Sequence, residues 1–210
     1  RGTKTYVMMC QAKRAGYDRQ HTALDLHDRK CDQNLARLHM AGIPGVRTVS
    51  GDACELDEVL TSFDAMLGEP ALFDTVFIDA PCSGTGTMRR HPEIPWRLTE
   101  NDVKTELPKL QLTMLKEAAA RVAAGGELIY ATCSVFDEEN TQVVNAFLAS
   151  PEGEGFAVAP LSEAQILQLP EYDHAKSLVT LRQNDRGLFQ SVPVNADSYD
   201  GHFCARLVRN

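Results

Sequence analysis

The chain has 210 residues, 43% of them hydrophobic, enough to bury the core of one well-packed domain and short of two full ones. A formal charge of -8 argues against a surface that is basic throughout, so any nucleic-acid contact must use a local patch or residues outside this sequence. No apolar run approaches the roughly 18 residues of a membrane span, no secretory leader is visible, and the six cysteines lack the close pairs of a zinc site. A cytoplasmic, reduced, metal-free and monomeric protein is the expectation.

In chain order, a turn at Gly2 leads into a helical stretch at residues 6–15 with no strand ahead of it. In a doubly wound sheet such a turn follows the first, central strand, so that strand is expected upstream of residue 1. Residues 21–26 (HTALDL), 46–50 (VRTVS), 73–79 (FDTVFID) and 127–132 (ELIYAT) read as strands. Helical spacing covers 28–40, 55–67 and 108–124, with Gly125 and Gly126 as the stop after the last. A further helix is predicted over 137–149 with Asp137 as its cap. Residues 151–155 form a loop, and 187–194 with 202–208 read as an antiparallel strand pair. The alternation predicts an α/β fold, a mostly parallel sheet with helices on both faces and antiparallel strands near its carboxyl end.

In such folds ligands bind at the carboxyl ends of the strands, and an acid about 20 positions after the glycine turn bonds ribose hydroxyls. Asp25 fits that position, Asp52 follows the next strand, and Asp79 ends the one after. Any one of them is equally well a turn residue or a helix cap. Lys4 and Lys30 are candidates for a cofactor carboxylate, although most lysines only solvate a surface.

Cys82 and Cys133 each follow a predicted strand and each precede a serine. One unpaired cysteine is usually buried filler; two at the ends of consecutive strands would face one cleft. Methylation of cytosine carbon 5 uses such a pair, because that carbon is a poor nucleophile until a thiolate adds at carbon 6. A second thiol or a base then assists release. Asp79 could donate to ring nitrogen 3 only if burial kept it protonated. These residues alone do not say which cysteine attacks.

DAPCSGTGTMRRHPEIPWR, LPKLQLTML, GGELIYATCSVFDEEN and DGHFCARLVR, in that order and spacing, resemble the RNA 5-methylcytosine methyltransferases of the Sun/Fmu (Nol1/Nop2) family, most of all its bacterial ribosomal RNA members. The resemblance implies a Rossmann-like class I fold using S-adenosylmethionine, with residues 1–210 forming a catalytic domain and an RNA-binding domain upstream. It implies Cys133 as nucleophile, Cys82 in product release, and Lys4, Asp25, Lys30, Asp52 and Asp79 at the cofactor. The expected substrate is RNA, ribosomal before transfer RNA.

Residues 88–97 bring Arg89, Arg90, His91, Arg97 and the single tryptophan, Trp96, beside Cys82. Arginines there suit phosphates, and Trp96 or His91 suits a flipped base; a packed loop anchor is the competing reading of Trp96. Two rival functions stand beside RNA methylation. A DNA cytosine methyltransferase would attack through Cys82 and leave Cys133 idle, and a non-catalytic RNA-binding module would need neither thiol.

Overall fold

In a computed structural model, residues 2–193 and 199–210 are described. The chain divides into two compact units, Arg1–Pro70 and Ala71–Asn210.

The first unit contains α1 (Thr3–Arg14), β1 (His21–Asp25), α2 (Asp28–Met40), β2 (Val46–Ser50) and α3 (Leu56–Leu67). Its two strands pair in parallel, from His21 beside Val46 to Asp25 beside Ser50. Both therefore end at one edge, where the N–H of Gly51 donates to the carbonyl of Asp25 at 3.1 Å. Gly2 caps α1 at φ 65°, and a Cβ there would collide with the Asn34 side chain of α2, so only glycine fits.

The second unit holds β3 (Phe73–Asp79), α4 (Ile94–Arg97), α5 (Leu107–Ala120), β4 (Val122–Thr132), α6 (Thr141–Leu148), β5 (Phe156–Ala159), α7 (Asp173–Arg182), β6 (Phe189–Ser191) and β7 (His202–Arg209). β3 and β4 are parallel; β7 runs antiparallel to β4 on one side and to β5 and β6 on the other. Antiparallel pairings thus outnumber parallel ones among the described residues, so the sheet is mixed where a mostly parallel one was predicted. Period-2 burial along β4 and β7 sends Leu128 and Tyr130 with Phe203, Ala205 and Leu207 into the core. The Tyr130 and Phe203 rings meet edge to face, and Phe147 of α6 packs likewise on Phe156 of β5.

Several predicted boundaries move. The helix expected to reach residue 124 stops at Ala120, because Val122 already lies beside Phe73 in the ladder. Gly125 and Gly126 therefore stop no helix: Phe73 pairs with Val122 and Thr75 with Glu127, so the glycines fill a bulge that Gly125 permits at φ 73°. The helix predicted from Asp137 begins at Thr141, after a 3-10 turn at Asp137–Glu139. Its cap residue, Asn140, makes no capping bond because its side chain turns inward to Thr132 and to the carbonyl of Ser134. The predicted strand at 187–194 is Phe189–Ser191, and Val194 lies outside the described residues. Among the described residues no helix is long and apolar enough to cross a membrane.

Candidate active site

β3 and β4 stay paired to Asp79 and Ala131, and the N–H of Ala80 extends the ladder to the carbonyl of Ala131 at 3.0 Å. Just beyond, the two chains part into the loops carrying Cys82 and Cys133. Their sulfurs lie 3.3 Å apart, and both side chains are half-buried. The hydrogen bond to Cys133 pushes the Cys82 thiol well above the usual range, and burial adds to it. Either sulfur can be the donor in this contact.

Beneath the sulfurs sits a polar knot. The Glu139 carboxylate, 0% exposed, accepts from the Ser83 N–H at 2.8 Å, from Gln111 Nε2 at 3.0 Å and from Ser134 Oγ at 2.7 Å. Gln111 of α5 also donates to the carbonyl of Pro81 at 2.9 Å, and Ser83 Oγ donates to Ser134 Oγ at 3.1 Å. Tyr130 donates its hydroxyl to the Glu139 carbonyl at 2.6 Å; burial and the nearby carboxylate push its pKa upward. Sequence reasoning missed Glu139 and Gln111 as site residues. Both stand inside the motifs that carried the resemblance, but an acid in the run Asp137-Glu138-Glu139 reads as solvated surface.

The other predicted residues are placed as follows. Asp79 is exposed at the end of β3. Asp25 accepts from the His27 N–H at 3.1 Å and lies 3.5 Å from the Lys30 ammonium. Asp52, exposed just after β2, accepts from the Cys54 N–H at 2.8 Å. Lys4 is exposed in the first turn of α1.

In the loop after Cys82, Arg90 grips Asp200 through Nε and a terminal nitrogen at 2.9 and 2.6 Å, and Arg89 approaches the same carboxylate at 3.7 Å. This pair holds the Asp200 carboxyl below its ordinary range. His91 and Arg97 both face Glu93. The basic cluster is therefore laced with acids, which a count of arginines did not reveal. Trp96 is 90% exposed, which rules out the packed-anchor reading. An open apolar groove of about 360 Å³ lies beside it, lined by Met88, Pro95, Leu98, Val103 and Phe136 and reaching Thr85.

A mixed α/β sheet with paired thiols at its strand ends defines a Rossmann-like methyltransferase. The fold matches the crystal structure of PH0851, with a TM-score of 0.68 and 29% identity over 89% of this chain and 36% of that one. It also matches NSun6 from Pyrococcus horikoshii, solved with SFG, with a TM-score of 0.72 and 19% identity over 99% of this chain and 45% of the other. The 16S rRNA methyltransferase RsmB/F family matches residues 2–208, and the chain belongs to it. Curated relatives include ribosomal RNA small subunit methyltransferase B of Pectobacterium atrosepticum, 37% identical over 68% of this chain, and that of Salmonella arizonae, 51% identical over 65%. The chain spans 28% and 26% of those proteins' lengths.

Proposed function

We propose that the protein methylates carbon 5 of a cytosine in RNA, ribosomal RNA in particular, through a covalent bond between Cys133 and ring carbon 6. The observation that carries the reading is the 3.3 Å approach of the two sulfurs at the ends of adjacent strands. Family membership supports RNA as the substrate.

S-adenosylmethionine, when bound, supplies the electrophilic methyl group. The residues present fit it: carboxylates are pure acceptors, and Asp25 and Asp52 offer them at neighbouring strand ends to ribose hydroxyls and an adenine amine. Lys4 and Lys30 supply cations for its carboxylate.

The Cys82 thiol is raised by its bond to Cys133 and by burial, which supports Cys133 as the attacking thiolate. Attack of the Cys133 sulfur on carbon 6 forms the C–S bond and moves the ring π pair toward carbon 5. That pair forms the bond to the methyl group; a base then takes the carbon-5 proton, the C–H pair remakes the ring double bond, and the Cys133 sulfur leaves with the C–S pair as a thiolate. Cys82 stands in contact with the sulfur that must leave, so it serves release. Asp79 donates to nitrogen 3 only where the bound base covers it. Arg89, Arg90 and His91 hold the strand, and the exposed Trp96 ring stacks on a base.

Incubating single-cysteine variants of the protein at its full natural length with RNA, and with DNA in parallel, tests the assignment. Cys82→Ala should leave RNA bonded to protein as a slow band on a denaturing gel, and Cys133→Ala should give neither adduct nor methyl transfer. The reverse pattern would establish Cys82 as the nucleophile, and adducts on DNA alone would overturn RNA as the substrate.

A further inference from the structure

We propose that Glu139 is a positioning residue that fixes the distance between Cys82 and Cys133, a role that rests on the thiol chemistry proposed above. Its carboxylate touches both thiol loops and α5 together. Oε2 accepts from the N–H of Ser83, the residue after Cys82, and Oε1 accepts from the hydroxyl of Ser134, the residue after Cys133. Gln111 closes the clamp from the other side, since one of its N–H groups reaches Glu139 and the other holds the carbonyl of Pro81, the residue before Cys82. Cys82 is thus pinned at both flanking peptides.

Three donors converge on this buried carboxylate, and hydrogen bonds away from bulk solvent are the stronger for it. A merely structural anchor could sit anywhere in the sheet. This one is built from the immediate neighbours of both nucleophilic residues, and Tyr130 additionally fixes its own backbone carbonyl. The β3 and β4 ladder ends before either cysteine, and beyond it this carboxylate joins the Gly86 N–H to Cys133 carbonyl bond and the Ser83 to Ser134 hydroxyl bond in tying the loops together.

Glu139→Gln keeps the shape but offers a single acceptor oxygen where three donors meet. Exchange with glutathione reports the thiol spacing without any methyl transfer: two protein thiols and one glutathione disulfide yield one protein disulfide and two glutathione thiols. Peptide mapping after an acid quench reads the Cys82–Cys133 bond in the full-length protein. Glu139→Gln should lower the effective concentration of the pair about tenfold, the effect of losing one charge-assisted bond, while circular dichroism stays native. With RNA, kcat should fall and KM hold. A pair that oxidises within twofold of wild type, or a wild-type pair that forms no disulfide, overturns the role. Should Glu139→Gln fail to fold, Ser134→Ala removes the arm to the Cys133 loop, together with the bonds that Ser83 and Phe136 make to the same hydroxyl, and is judged by the same criterion. Failure of the Cys82→Ala adduct would sink the proposed chemistry while this equilibrium still reports on Glu139.

Discussion

Replacing Gly86 with alanine would drive apart the loop after Cys82 and the entry to β7. A Cβ at Gly86 would lie 2.2 Å from the carbonyl oxygen of Gly201 and 2.7 Å from its Cα. These are backbone atoms, held by the Gly201 N–H donating to Gly86 O at 2.8 Å, while the Gly86 N–H donates to Cys133 O at 2.8 Å. No flexible side chain can swing aside. The backbones must separate by about 1 Å to regain ordinary contact, at a cost of about 3 kcal/mol, the upper part of the overpacking range. At about 2–4 °C for each kcal/mol, the melting temperature should fall by roughly 6–12 °C. Gly125→Ala is the comparator: nothing lies within 4 Å of its Cβ, and only its left-handed backbone is penalised, by about 1 kcal/mol. Thermal unfolding followed by circular dichroism checks both. A Gly86→Ala loss no larger than that of Gly125→Ala would refute the claim that backbone contact sets this loop.

Two further outcomes concern the site. The Cys82 thiol is raised first by its bond to Cys133 and then by burial, so near pH 8.5, where free thiols ionise, it should resist alkylation. Cys133→Ala removes the larger cause, and the midpoint of Cys82 alkylation against pH should move down; mass spectrometry of iodoacetamide-treated protein reads it, and an unmoved or higher midpoint contradicts the assignment. Trp96→Ala, at a 90% exposed site, should change stability by less than about 0.5 kcal/mol. It should nonetheless weaken RNA binding by roughly tenfold, as expected for one lost stacking contact, and unchanged affinity in a filter-binding assay would remove Trp96 from the RNA surface.

The strands at residues 21–25, 46–50 and 73–79 were legible because apolar runs bounded by polar turns leave little choice, and α2 matched its predicted limits at both ends. The cysteines were legible for a chemical reason, since thiols recurring at strand ends serve few other purposes. Glycine misled at residues 125–126, where a residue that stops helices also permits a bulge, and only the pairing of Val122 with Phe73 distinguishes the two. Segments such as 156–186 carry weak periodicity and depend on β7 for partners, so β5 was invisible until Phe156 could be seen opposite Arg209. Glu139 was hidden by the reverse effect: burial reverses the ordinary meaning of an acid, and burial is a tertiary property. Arg89 and Arg90 were visible as charges, but their carboxylate, Asp200, lies 110 residues from Arg90 in sequence.

β7 is the last strand in chain order, yet it lies between β4 and the strands β5 and β6. A chain emerging during synthesis therefore carries β3 and β4, and both thiols, well before the segment that covers the β4 edge exists. Closing that long loop is slow relative to local pairing, and an open β4 edge meanwhile invites pairing with other chains. Gly201, which holds the Cys82 loop through Gly86, also arrives late. A chain made only as far as β5 would thus possess both thiols and lack β7 and the Gly201 contact beside the Cys82 loop.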